Sequence, residues 1–387
     1  MNLKNVDGAI VTLTGYYNYG NVLQRYALQK FLSNSGYNFI SYVDDFSSPA
    51  AMYKTDNIIK IKTPIRLIKR FMNYQKPYWY IPTHGDLHPE AKRMQNIIEF
   101  VNSNINIKKF SPSDEYRNYI VGSDQVWRDW WDGGESWKYY FLDFLKNDDI
   151  NRISYAASFG KSDIREVFKD KDIKFVEEKL QKFKHISVRE KSGANIIQNM
   201  KNVKEAKVVV DPTLLLSAES YSELINKTDE KYKKIHPIFC YILGETDEIT
   251  KLIEDIQDVK KQPITKVRSH EGSEEDVLPP VEFWLKGFRD ADLVITNSFH
   301  GMVFSVLNNT DFIVVGNENG GLARMLDFLD RFSIRGRYID ESKISSFDIK
   351  SLEPIDWSKV NKKLHNNRKN SAEWLLNAIE NKSESRI

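Results

Sequence analysis

The chain has 387 residues, enough for two or three domains at about 100–200 residues each. Its 41% hydrophobic and 28% charged residues lie in the ordinary globular range, which excludes a disordered, collagen-like or coiled-coil protein. Fifty-six basic against fifty-four acidic residues leave a formal charge of only +2, so there is no overall basic field and no nucleic-acid partner is expected.

The first element begins at Gly8-Ala-Ile-Val-Thr-Leu-Thr, which runs into the loop Gly15-Tyr-Tyr-Asn-Tyr-Gly-Asn. Val22, Leu23, Tyr26, Ala27, Leu28, Phe31 and Leu32 then recur at helical spacing, Gly36 ends the helix, and Phe39 to Val43 alternates as a second strand. Strand, glycine loop, helix and strand predict a parallel sheet opening at the N-terminus. Backbone amides at this loop suit an anion or a sugar hydroxyl, with Asn18, Tyr19, Asn21 and Gln24 as polar contacts; a tight turn explains the glycines equally well.

Between Lys54 and Lys76 stand seven basic residues and one acid, a local charge of +6, interleaved with apolar residues and followed by Tyr78, Trp79 and Tyr80. The segment 54–80 reads either as a surface helix of the first domain or as a basic amphipathic element that touches a membrane.

Short apolar strands recur at Tyr119-Ile-Val, Arg152 to Ser158, His185-Ile-Ser-Val and Val208-Val-Val. Gly122-Ser-Asp-Gln-Val-Trp follows the first of these, at the C-terminal strand end where open α/β sheets bind ligands. There Asp124 suits a base or a hydroxyl contact, Ser123 and Gln125 suit hydrogen bonds, and Trp127, Trp130 and Trp131 suit stacking on a sugar. A helix cap and core tryptophans are the competing reading. Arg189 leaves the strand at 186–188 and offers a fork for a carboxylate or phosphate, or a salt bridge to Glu190.

The lysine-rich stretch 226–234 reads as a linker, with a fresh strand at Pro237 to Gly244, a helix near 249–256 and strands at 292–296 and 312–315. Two tandem Rossmann-like α/β domains follow, at 1–230 and 231–355, and closing helices at 356–387. Cys240 reads as a buried strand residue, and as the lone cysteine it allows no internal disulfide. Thr296-Asn-Ser-Phe-His-Gly ends one strand and starts a helix, so Asn297, Ser298, His300 and the amide of Gly301 converge within five positions. That set suits an anion and a proton transfer near neutral pH. No zinc spacing, Walker loop or GxSxG elbow occurs, and no cofactor is expected. Without an 18-residue apolar run or a signal-peptide core, the expected location is cytoplasmic, peripheral at the inner membrane face if 54–80 touches lipid.

In order along the chain, Asn18-Tyr-Gly-Asn-Val-Leu-Gln-Arg-Tyr-Ala-Leu-Gln, Gly122-Ser-Asp-Gln-Val-Trp, Ser154-Tyr-Ala-Ala-Ser-Phe-Gly, Ser187-Val-Arg-Glu, Asp211-Pro-Thr, Thr296-Asn-Ser-Phe-His-Gly and Leu322-Ala-Arg-Met-Leu resemble the polysaccharide pyruvyl transferase family over about residues 8–335. The resemblance implies a GT-B-like pair of domains with the site in the crevice between them. It further implies transfer of the pyruvyl group of phosphoenolpyruvate onto two hydroxyls of a saccharide, giving a cyclic ketal and phosphate. It implies Arg189 and the His300 loop facing each other across the donor, Asp124 orienting the acceptor hydroxyl, and a lipid-linked saccharide acceptor in capsule, exopolysaccharide or envelope glycan synthesis. One departure stands out: family members often carry arginine two residues before the histidine, where this chain has Ser298. Arg324 or Arg128 then supplies the missing charge, or the donor differs. A GT-B-like glycosyltransferase using a nucleotide sugar and an inactive scaffold of a polysaccharide assembly complex are the alternatives.

Overall fold

The computed structural model describes residues 6–15, 18–43, 92–111, 113–128, 136–232, 234–268, 277–316 and 322–381. The basic stretch 54–80, Trp130 and Trp131 lie outside the described residues. The strands form two sheets, and every pairing in both is parallel.

The first sheet contains β1 (Gly8–Val11), β2 (Phe39–Val43), β3 (Ile107–Lys109), β4 (Asn118–Val121), β5 (Asn151–Ala157), β6 (His185–Val188) and β7 (Lys207–Val208), in the order β3-β2-β1-β4-β5-β6-β7. The second contains β8 (Ile238–Ile242), β9 (Ile264–Arg268), β10 (Leu293–Thr296), β11 (Asp311–Gly316) and β12 (Tyr338–Asp340), in the order β12-β11-β10-β8-β9. The central strands β1, β4 and β10 are buried along their whole length, because helices cover both faces of each sheet. By contrast, the edge strands β3, β9 and β12 are half exposed and carry polar residues.

Alternation along the strands divides the core into three clusters. Ile10, Ile120, Ile153 and Tyr155 of the first sheet, and Phe239 and Tyr241 of the second, point into one shared cluster. Ala9, Tyr119 and Val121 face the outer side of the first sheet, and Ile238, Cys240 and Ile242 the outer side of the second. The shared cluster is filled from helices α1 (Tyr19–Asn34), α2 (Gln95–Asn104), α7 (Val281–Asp290) and α8 (Phe299–Asn308). Burial is therefore continuous from one sheet to the other.

Helix α1 is enclosed on nearly every side, including its polar residues Asn21, Gln24, Arg25 and Gln29. Gln29 donates to the carbonyls of Phe39 and Asn106 and accepts from the Asn106 amide, so its burial costs no unpaired amide. The outer layers hold α3 (Asp170–Leu180), α4 (Lys191–Gln198), α5 (Ala218–Ile225), α6 (Asp247–Lys260) and α9 (Leu322–Phe332). The tail is one helix, α10 (Trp357–Ile379), which returns to the first sheet. There Asn151 Nδ2 donates to Ala378 O at 2.8 Å, the Val210 amide donates to Ser371 Oγ at 3.1 Å, and Trp374 lies against Tyr155. Among the described residues no helix is long and apolar enough to cross a membrane.

Candidate functional site

Strand order marks where an open α/β sheet is expected to bind its ligand. In the first sheet the order reverses between β1 and β4, and in the second between β8 and β10. Loops leaving the C-terminal ends of such strand pairs diverge and open a binding cleft. The four loops are those after Val11, Val121, Ile242 and Thr296. Two helix N-termini follow the first and last of them: α1, capped by Asn18 accepting from the Asn21 amide, and α8, capped by Ser298 accepting from the Gly301 amide. Neither has an acidic residue in its first turn, so both positive ends are left to other anions.

These ends meet where the His300 ring lies against Gly20. A Cβ on Gly20 would come within 2.2 Å of His300 Cγ and Nδ1, so only glycine allows the imidazole this position. On the other side of the ring, His300 Nε2 is 3.5 Å from Asp211 Oδ2. Asp211 Oδ2 also accepts from Arg189 Nη1 at 3.0 Å and Ser123 Oγ at 3.3 Å, while Oδ1 accepts from the amide and hydroxyl of Thr213. Arg189 Nη2 donates to Asp124 Oδ1 at 3.1 Å, and its guanidinium stacks 4.3 Å from the Phe299 ring centre. Arg324 Nη1 reaches the same Asp124 oxygen at 3.5 Å. All of these charged groups are at least nine-tenths buried.

The result is a cluster of two guanidiniums, one imidazole and the carboxylates of Asp124, Asp211 and Glu190, built from both sheets. Burial raises the pKa of Asp211, but His300 and Arg189 outweigh it and hold the group well below the carboxylate range. For Asp124, Arg189, His300 and Arg324 likewise overcome burial and lower its pKa. Glu190, which accepts from Ser158 Oγ, shifts the other way because burial dominates. Burial and the facing Arg189 push Arg324 down to about 10, so it remains charged at neutral pH.

A pH dependence follows from the depressed pair. The stability Asp211 contributes is complete above its unfolded value of 3.8 and is lost as pH falls toward its lower folded value. Urea unfolding between pH 6 and 3 should therefore show a steeper acid loss for wild type than for Asp211→Asn; equal slopes would remove the ionised Asp211 from the account.

Backbone shape brings Asp124 inward. It sits at φ 70°, a left-handed conformation that aspartate tolerates, and its carboxylate accepts from the Gln125 amide. Gly122 has φ 128°, and a Cβ there would meet the Tyr155 carbonyl at 2.0 Å. Gln24 ties this loop to the end of β1, with Nε2 donating to Thr12 Oγ1 and Oε1 accepting from the Ser123 amide.

His300, Arg189, Asp124, Ser123 and Arg324 thus converge, with Gln125 and Gly301 in the adjoining backbone. Gln125 turns its side chain to Arg128, and Gly301 packs where a Cβ would strike Thr296 Oγ1. Other expected contacts go elsewhere. Trp127 is fully buried between Phe141 and Phe159 in the outer core, so it presents no face to a sugar. Tyr19 is fully buried as well, stacked on Trp284 with its hydroxyl donating to Pro279 O, and it joins the two sheets rather than lining the crevice. Asn18 caps α1, and the Asn21 amide is the donor it satisfies. Asn297 accepts from the Leu243 amide and donates to the Leu243 carbonyl, which fixes the β8 loop. Sequence reasoning gives Asp211 and Phe299 no role; an aspartate just past an apolar strand is the available signal for the first. Among the described residues no group of three or more His, Cys, Asp or Glu side chains is arranged to hold a metal ion.

One family model, described as polysaccharide pyruvyl transferase, matches residues 18–319. No curated protein matches the chain. Among solved structures, UDP-GlcNAc 2-epimerase from Neisseria meningitidis bound to UDP-GlcNAc aligns over 95% of this chain and 99% of its own, with TM-score 0.50 and 8% identity. Arabidopsis thaliana UGT89C1 aligns over 96% of this chain and 99% of its own, with TM-score 0.47 and 11% identity. At these identities the likeness is one of fold, a GT-B-like pair of Rossmann-like sheets.

Proposed function

This chain belongs to the polysaccharide pyruvyl transferase family, and from that premise we propose that it transfers the pyruvyl group of phosphoenolpyruvate to two hydroxyls of a saccharide. The proposed product is a cyclic ketal, and phosphate is released. The observation that carries this reading is the buried convergence of Arg189, Arg324 and His300 between two helix N-termini that carry no acid of their own. A donor with both a carboxylate and a phosphate needs several cations and amides at short range.

In the proposed reaction, the donor CH2 carbon takes a proton and becomes methyl, and the first acceptor oxygen bonds to the neighbouring carbon. The carbon–oxygen bond to phosphate breaks with its electron pair leaving on phosphate, and the second hydroxyl closes the ketal. Of the two hydroxyl protons released, one balances the methyl group and the other leaves with phosphate. His300 is the proposed acid or phosphate contact, Arg189 and Arg324 the anion contacts, and Asp124 the group that orients the hydroxyl. Arg324 supplies in this scheme the charge that Ser298 lacks. The N-terminal end of α8, whose first turn carries no acid, faces the donor in this scheme, and Ser123 and Gln125 border the acceptor side. We further propose that the acceptor is a lipid-linked saccharide of envelope, capsule or exopolysaccharide synthesis, met at the inner membrane face.

Calorimetric titration with phosphoenolpyruvate, beside a panel of nucleotide sugars, tests the donor. Saturable phosphoenolpyruvate binding is expected, weakened at least tenfold in Arg324→Ala, the equivalent of one charge-assisted hydrogen bond at about 1.5–3 kcal/mol. Binding of a nucleotide sugar instead would convert the reading to a glycosyltransferase, and binding of neither to a scaffold.

A further inference from the structure

We propose that Asp211 is the positioning residue of this site: its Oδ2 receives Nε2–H of His300 across the boundary between the two sheets, fixing both the ring and the nitrogen that carries hydrogen. The kinetic part of this proposal rests on the transferase reading above; the geometric part stands without it.

Asp211 follows Val209 and Val210 beyond the first sheet, and His300 is the second residue of α8, which leaves the second. Three features make the carboxylate a fixed reference. Oδ1 is held by the Thr213 amide at 3.0 Å and the Thr213 hydroxyl at 2.8 Å, so the side chain cannot rotate without losing two hydrogen bonds. Oδ2 is held by Arg189 Nη1 and Ser123 Oγ. The residue is 2% exposed, so water does not compete for either oxygen.

His300 has little freedom left once that reference is set. Gly20 lies against Cγ and Nδ1, Phe299 makes a ring-edge contact on its own chain, and Asp211 faces Nε2. Nε2 makes no hydrogen bond and lies at ion-pair distance, 3.5 Å, from Asp211 Oδ2, so the pair is poised to tighten rather than already closed. A carboxylate opposite one ring nitrogen selects the tautomer with hydrogen on that nitrogen. In both the neutral and the charged ring, Nε2 then carries hydrogen, and what changes with proton transfer is Nδ1, on the α1 side. Other charged or titratable groups packed on the pair are Arg189, Asp124 and Arg324, with Tyr155 of β5 and Tyr221 of α5, whose ionisation is suppressed by burial and by Asp211. Neither tyrosine offers an alternative anion.

An amide at position 211 cannot reproduce this. Thr213 N–H and Arg189 N–H point at different oxygens, so a carboxamide in either orientation would turn an NH2 group toward a donor; the substitution to test is Asp211→Asn. The measurement is a long-range 1H–15N spectrum of histidine-labelled full-length protein, with the His300 signal identified by its loss in His300→Gln. Wild type should show hydrogen fixed on Nε2, and Asp211→Asn should show the two tautomers mixed. In steady-state transfer from phosphoenolpyruvate, kcat should fall by about thirtyfold or more while KM for the donor stays within about threefold, because Arg189 keeps Asp124.

Should Asp211→Asn not fold, Thr213→Val removes one support of Oδ1 with little change in shape, and a severalfold fall in kcat with partial tautomer mixing is expected. An unchanged tautomer in the folded variants would overturn the proposal, as would a rise in KM alone. If no form of the protein transfers pyruvate but the tautomer still depends on Asp211, the reaction assignment fails and the pairing stands.

Discussion

Arg189→Ala should cost about 3–5 kcal/mol of folding stability, the range for removing one partner of a buried ion pair, and should abolish donor binding. The guanidinium lies within 3.1 Å of Asp124 and Asp211 and 3.8 Å from Glu190. Burial opposes its charge, but those three carboxylates outweigh burial and raise its pKa further. Without it, Asp124 and Asp211 would face each other across a buried cluster balanced, among the described residues, by Arg324 and His300. The stacked contact with Phe299 would also be lost. Arg189→Lys should rescue little, since one ammonium cannot span two carboxylates in the plane that the fork occupies. Urea unfolding and phosphoenolpyruvate titration on both variants decide the matter. A wild-type midpoint in Arg189→Ala would show that the cluster is balanced without this cation.

His300→Ala is expected to lower kcat by about 100-fold or more, the usual effect of a lost acid-base group, while leaving the fold intact. The long approach to Asp211 is not a bond that the fold depends on, and His300 Nε2 has no hydrogen-bond partner to lose. Gly20→Ala offers an independent approach to the same quantity, because the new methyl would overlap the imidazole and force it from Asp211. If both act through one ring, Gly20→Ala should lower activity strongly in wild type and hardly at all in His300→Ala. Full additivity of the two losses would mean that Gly20 matters for the path of α1 rather than for the imidazole.

Much of this architecture can be read from residue order. The apolar run Ala9 to Val11, a glycine loop and the Val22–Leu32 spacing specify strand, turn and helix because each signal is local. The same holds for Leu293–Thr296 leading into Phe299–Asn308. Ile107–Lys109, Ile264–Arg268 and Tyr338–Asp340 carry no such signal, since a half-exposed edge strand owes its conformation to the neighbour it pairs with. Local signals also bring His300, Arg189 and Asp124 forward, each at a strand end. They cannot separate them from Trp127, Tyr19 and Asn297, whose composition suits a sugar but whose partners lie in distant segments. Asp211 is the converse case. Its place just past an apolar strand fits a helix cap as well as a site, and its contacts with Arg189 and His300 are what bring it into the cluster.

The return of α10 to the first sheet sets an order on biosynthesis. Arg368 donates to the Leu214 carbonyl, Ser371 receives the Val210 amide, and Ala378 receives Asn151, so the final helix covers segments that were translated more than about 150 residues earlier. A nascent chain that has emerged as far as residue 230 holds strands β1 to β7 of the first sheet, yet lacks the helix that seals β5 and the segment before Asp211. The half of the protein made first is therefore the half completed last, and it must wait for its cover through the whole synthesis of the second sheet.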